Sequence, residues 1–267
     1  MSQTSYHFVS WRNLKLQVVQ LFLKISQSLV LAHLIGLRHA CNLDRGAQFK
    51  YMPDKHTSQG ERVIVSNACI TEGLNWLLEH EPKFSLAVDL TGPLPLRLRQ
   101  DGFTRLLGAI VSQQLSVASA DAIWNRLEDA RMILPSSIKS AGDEDLRSCG
   151  LSRQKIRYAR ALAEANVDFS SLREMKTRNV IQALTKISGI GVWTAEIYAM
   201  FSLGRADVFA PGDLALKESV KFLFELEKRP SEKELRMKSE KWSPWRAVAA
   251  RLLWAYYSHI KSREGIR

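Results

Sequence analysis

Residues 188–213 read SGIGVWTAEIYAMFSLGRADVFAPGD. Upstream, NVIQALTKI (179–187) spaces its apolar residues at three- and four-residue intervals, and a second such run leaves from Ser188-Gly189-Ile190-Gly191. Two glycines one residue apart between helical runs predict a tight αα-hairpin. They open positive φ and remove the side chains that would hold another backbone at a distance. The first turn of the second helix then presents unpaired N–H groups and the positive end of its dipole, which together suit a phosphate. A turn that merely needs glycine explains the same residues. At the other end of the stretch, Asp213 precedes the apolar-periodic run LALKESVKFLF (214–224), where aspartate is a standard N-cap.

Composition narrows the partners. The 267 residues suffice for one large domain or two small ones, at ~100–200 residues per domain. Hydrophobic residues make up 46%, enough for a real core, and 38 Lys+Arg against 27 Asp+Glu leave a net charge of +11. Such an excess favours a polyanion, either nucleic acid or an acidic membrane surface. Cys41, Cys69 and Cys149 lie far apart without CxxC spacing, too few for an all-thiolate zinc site or an iron–sulfur cluster. They read as reduced thiols of an intracellular protein. The most apolar early segment, VVQLFLKISQSLVLAHLIGL (18–37), is interrupted by Lys24 and polar residues and falls short of the ~20 apolar residues of a spanning helix. The expectation is therefore no membrane partner.

Working outward, residues 1–62 stand apart, with no acid before Asp44 and a polar, linker-like stretch RGAQFKYMPDKHTSQGER (45–62). They read as a poorly ordered extension, one upstream of the true start, or as a transit peptide or membrane-surface helix. From Ile70 onward the pattern is helical with no sustained alternation. Helices are predicted near 70–80, 83–90, 101–115, 117–131, 142–147, 152–166, 177–187, 191–203, 213–227, 231–240 and 243–261. Gly92-Pro93 and Pro95 interrupt before the third, Pro135 is placed in a loop, and Gly150 closes a helix. The fold class is all-α, with an extension over 1–62 and a helical domain over 63–267.

The longer pattern LTKISGIGVWTA (184–195) followed by DVFAPGD (207–213) resembles the helix-hairpin-helix motif of the DNA glycosylase superfamily. Its members carry that hairpin, a Gly/Pro-rich loop and an aspartate at this spacing. Within it, the chain is most similar to the 3-methyladenine DNA glycosylase II branch, over roughly residues 70–260. FTRLLGAIVSQQLSVASADAIWNRL (103–127) resembles that family's minor-groove helix–loop–helix, GLSRQKIRYARALAEA (150–165) its next helix, and KWSPWRAVAARLLW (241–254) its final helix.

The resemblance implies a two-lobed helical glycosylase of base excision repair. It would be a monomer, intracellular and DNA-associated, acting on double-stranded DNA with damaged bases. Such an enzyme extrudes its base, because the target bond is unreachable in the stack. Gln114 or Leu115 would fill the gap, Gln114 aligning better. A carboxylate near C1′ stabilises an oxocarbenium-like transition state, and the resemblance puts Asp213 there; capping and catalysis are compatible. Trp193 and Trp254 match aromatic positions of the base pocket, where a cationic alkylpurine would gain ~0.5–2 kcal/mol by stacking. Ile197 departs from the family, standing where a relative carries tyrosine. Gly189, Gly191, Trp193 and Thr194 would bind the DNA backbone.

Lyase-competent relatives place a Schiff-base lysine where this chain has Trp193, so a monofunctional enzyme is expected. The resemblance further implies a K⁺ or Na⁺ held by the carbonyls of Thr185, Ile187 and Ile190. No other cofactor is required and no iron–sulfur cluster is expected. Action on deaminated or etheno bases, and a non-enzymatic DNA-binding module, remain alternatives.

Overall fold

In the computed structural model, residues 60–264 are described. The expected extension lies outside the described residues up to residue 59, and Cys41 with it. Thirteen α-helices follow among the described residues. They are α1 (Asn67–His80), α2 (Phe84–Thr91), α3 (Phe103–Ser112), α4 (Val117–Asp129), α5 (Pro135–Ser140), α6 (Asp143–Ser148), α7 (Arg153–Glu164), α8 (Phe169–Glu174), α9 (Thr177–Thr185), α10 (Val192–Phe201), α11 (Leu214–Leu223), α12 (Glu232–Ser239) and α13 (Arg246–Glu264). A 3₁₀ turn, Glu240–Trp242, links the last two. The remaining pairing among the described residues is an isolated antiparallel bridge between Val63 and Arg205.

These helices enclose two cores. One gathers α1, α2, α11, α12, α13 and the C-terminal end of α10, around Phe84, Leu216, Trp242 and Leu253. The other gathers α3 to α10, around Leu107, Leu127, Leu162 and Leu184. The chain thus begins in the first lobe, crosses through residues 92–102, builds the second lobe and returns. Helix α10 serves both: Ala195 and Tyr198 pack in the second core, Ala199, Met200 and Phe201 in the first. Its sequence VWTAEIYAMF is apolar on nearly every side, as a helix buried between two layers should be.

The structure corrects several expectations. Pro135 is the first residue of α5, because a proline at that position gives up an N–H with no helical partner anyway. Helix α8 went unpredicted because six residues are too short to display a period; Asp168 starts it, accepting the N–H groups of Ser170 and Ser171. Helix α3 stops at Ser112 rather than 115, since Gln113 leaves helical geometry and Gln114 turns to φ +57°. Helix α11 stops at Leu223, before Glu225 at φ +55°. Glu61 and Arg62, expected in the extension, belong to the helical body. The Arg62 carbonyl accepts the Ala206 N–H (3.1 Å), and the Glu61 carboxylate accepts from the Thr177 N–H (2.9 Å) and hydroxyl (2.7 Å).

Candidate active site

The hairpin between α9 and α10 is shaped by one of its two glycines. Gly189 has φ +92°, and a Cβ there would lie 2.3 Å from Cγ of Tyr158, so the α7 side chain fills the space a larger residue would need. Gly191 is different. Its φ of −84° suits any residue, and a Cβ there meets nothing within 4 Å. The expected positive φ therefore holds at Gly189 alone, while Gly191 keeps the start of α10 open. No side chain caps that start; the first intrahelical bond runs from the Ala195 N–H to the Gly191 carbonyl (3.0 Å). Thr194, expected at the DNA backbone, has a buried side chain, leaving its first-turn N–H as the group able to act there.

Facing the hairpin is the Gln113–Ser116 turn. Gln113 Nε2 donates to the Gly189 carbonyl at 2.8 Å, tying turn to hairpin. From α7, Lys155 Nζ donates to the Val111 carbonyl at 2.6 Å. Gln114 projects from a left-handed backbone and is exposed, as is Leu115. Both candidate wedges thus sit on a protruding turn whose base is fixed.

Asp213 stands at the start of α11, half-buried. Its Oδ1 accepts from the Leu216 N–H (3.1 Å), the N-cap bond. The same oxygen accepts from Trp254 Nε1 (3.1 Å), and Oδ2 accepts from Trp193 Nε1 (3.1 Å). Sequence reasoning gave the tryptophans to a base through their faces; the structure adds that their N–H edges grip the carboxylate. Ile197 lies one turn along α10 from Trp193, partly buried against the first-lobe core. The Trp254 ring backs onto Phe201, centroids 5.7 Å apart.

A hairpin with an open helix start, a protruding turn bound to it and a clamped aspartate lie on one connected framework. Residues 107–244 match the HhH-GPD superfamily base excision DNA repair protein family. The chain belongs to the HhH-GPD superfamily. DNA-3-methyladenine glycosylase 1 of Schizosaccharomyces pombe is 32% identical over 165 residues, covering 58% of this chain and 72% of the relative. The putative DNA-3-methyladenine glycosylase YfjP of Bacillus subtilis is 29% identical over 229 residues, 79% of this chain and 80% of the relative. Among solved structures, the DNA-3-methyladenine glycosidase of Bacillus halodurans superposes with a TM-score of 0.65 at 32% identity, covering 71% of this chain and 91% of that one.

Sequence reading of this HhH-GPD protein missed two residues. Gln113 was passed over for Gln114, although only a contact map reveals its bond to Gly189. Glu196 was passed over as well. It is 1% exposed on α10, its Oε1 is bound by Arg236 at 2.9 Å, and Oε2 has no partner among the described residues. Burial, only partly countered by Arg236, pushes its carboxyl up to about 7. A lone glutamate in an otherwise apolar helix was the available signal. Arg236 also reaches Glu232 (3.1 Å), whose carboxylate oxygen lies 3.5 Å from where a Cβ on Gly212 would stand.

Proposed function

We propose that this protein is a monofunctional DNA glycosylase that flips a damaged purine out of duplex DNA and hydrolyses its N-glycosidic bond, leaving an abasic site. The observation carrying this reading is the Asp213 carboxylate. It is fixed by two indole N–H groups and one helix N–H, and set twenty residues beyond Trp193 of the hairpin. A carboxylate held this way needs no reorganisation as positive charge develops on the sugar, which is where electrostatic stabilisation is most effective. In ionised form it accepts hydrogen bonds only, so its remaining acceptor capacity is directed at the substrate side and at the water that attacks C1′. Gln114 or Leu115 would occupy the vacated stack, and the open N–H groups at Gly191–Thr194 would receive a backbone phosphate.

The relatives' names, which give 3-methyladenine, support alkylated purines as the substrate class, and the proposal extends that class to 7-methylguanine. The S. pombe 3-methyladenine DNA glycosylase, 31% identical and with a TM-score of 0.60, was solved with abasic DNA. A cation at the hairpin is part of the proposal: the carbonyls of Thr185, Ile187 and Ile190 would supply an all-oxygen donor set of the kind K⁺ or Na⁺ takes. The Ile187 carbonyl already accepts the Ile190 N–H (3.0 Å) and would contribute its second lone pair.

The test is base release from duplexes carrying methylated, deaminated or etheno bases, with mass detection of the freed base, alongside borohydride trapping. Release without trapping is the expected result. A covalent trapped complex would overturn the monofunctional assignment, and absence of release from every duplex would leave a DNA-binding module.

A further inference from the structure

Glu196 carries the one charge of α10, and the proposed chemistry does not use it. It follows Trp193 by three residues, so the two side chains leave neighbouring parts of the helix surface. Buried Oε1 is bound by Arg236 of α12 at 2.9 Å, and Oε2 has no partner among the described residues. With its other terminal nitrogen Arg236 holds Glu232, the first residue of α12 (3.1 Å). A capping box fixes that first turn: the Ser231 N–H donates to the Glu234 carboxylate (2.7 Å) and the Glu234 N–H to the Ser231 hydroxyl (3.2 Å). A Cβ on Gly212 would stand 3.5 Å from Oε2 of Glu232 and 4.0 Å from Cβ of Trp193. The residue before Asp213 is therefore lodged between the first turns of α10 and α12, and the Glu196–Arg236–Glu232 chain ties those two helices together around it.

Stability does not explain this arrangement. Burial pushes the Glu196 carboxyl up to about 7, while Arg236 and Arg246 lower it and Glu232 raises it further. The ionised form thus costs folding free energy that a neutral side chain of the same shape would not. Proton exchange has a route, since Glu196 lines a cavity of about 680 Å³. Around that cavity Asp207 is matched by Arg246 (2.6 Å) and Glu61 by Arg205 (3.3 Å), while Arg62, Lys176 and Arg178 add positive charge. What the ionised carboxylate supplies is a charge-assisted grip on Arg236, stronger than a neutral acid or amide could give.

We propose that ionised Glu196 is a positioning residue for Asp213: through Arg236 and Glu232 it holds Gly212 against Trp193, and so sets the Asp213 carboxylate relative to the indole that bonds it. This rests on the glycosylase reading and adds to it a residue that touches neither DNA nor the reacting atoms. Protonation slackens the grip, because a neutral carboxyl no longer attracts Arg236 by charge and leaves it to Glu232 alone.

The experiment uses the full chain and Glu196→Gln, which keeps the shape and removes the charge. Three quantities are measured: single-turnover release from a duplex with one 7-methylguanine, affinity for that duplex, and hydrogen exchange of the Leu216 N–H, which donates to Asp213. Above pH ~7 the substitution should lower release roughly tenfold to a hundredfold, as a small misplacement of a reacting group does. Affinity should be unchanged, and Leu216 should exchange faster while the amides of α4, in the other core, keep their protection. Below that pH the two proteins should converge, because the unsubstituted Glu196 is then itself neutral. Arg236→Gln should give the same fall in rate, and the double variant no further fall, as for members of one chain. With an active chain, equal release above pH ~7, a deficit that persists unchanged below it, or exchange that quickens equally in α4 overturns the positioning role. Should the unsubstituted chain release no base, the glycosylase reading fails, and Leu216 exchange alone decides whether Glu196 positions Asp213.

Discussion

Helices α10 and α11 begin in opposite ways. At Gly191 no side chain caps the helix, nothing occupies the space where a Cβ would stand, and Val192 and Trp193 are exposed. At Asp213 the helix supplies its own anion, and two indoles hold that anion in place. Both starts have the same backbone polarity and the same orphan N–H groups. The difference is whether the negative charge comes from the chain or from outside. Trp193 joins them, since it belongs to the first turn of the open helix and bonds to the cap of the closed one.

The comparison breaks most directly at Asp213→Asn. Asparagine is as good an N-cap, so the helix should persist, while base release in single-turnover assays should fall roughly 10²–10³-fold. Affinity for duplex should hold or rise, because a negative charge near DNA is gone. Unchanged release would reduce Asp213 to a cap.

The second effect concerns the helix that links the two starts. Glu196 holds its proton up to about pH 7 in the folded chain, whereas the unfolded chain releases it near the ordinary glutamate value. Stability should therefore be highest below pH ~4.5 as far as this group is concerned, fall as pH rises through the window to about 7, and then level off, a span of about 3 kcal/mol. Urea midpoints across that range should slope in the unsubstituted protein and flatten in Glu196→Gln.

The open start is sharpened by treating its glycines separately. Gly189→Ala drives a Cβ into Tyr158 at a positive φ and should cost about 2–3 kcal/mol in urea unfolding. Gly191→Ala should cost less than about 1 kcal/mol, yet weaken duplex binding by crowding the helix start. Equal destabilisation by both would erase the distinction. On the closed start, Trp254→Phe keeps a ring against Phe201 but deletes one hydrogen bond to a charged group. Its loss is worth about 1.5 kcal/mol, near a tenfold drop in release rate with KM little changed.

Much of this was legible in the residues. The period of the apolar positions gave most helices, because amphipathic faces must point at one of two cores, and the glycine pair located the hairpin. The tryptophans and Asp213 were singled out, but their mutual bonds were not, since an indole N–H carries no sequence signature of the carboxylate it meets. Gln114 was legible as a protruding candidate. Its neighbour Gln113, which anchors the turn, depends on where residue 189 sits in space.

Just before the Val63 bridge, Glu61 ties the segment ahead of the first helix to Arg205. Arg205 is 1% exposed and donates to the carbonyls of Leu172, Arg173 and Met175 as well as to Glu61 (3.3 Å). A chain trimmed to begin at Val63 would keep every helix of the described residues but discard the carboxylate opposite this guanidinium. The buried guanidinium would then keep its three backbone carbonyls but lose its carboxylate partner, which should lower stability. A chain that keeps Glu61 keeps that partner for Arg205.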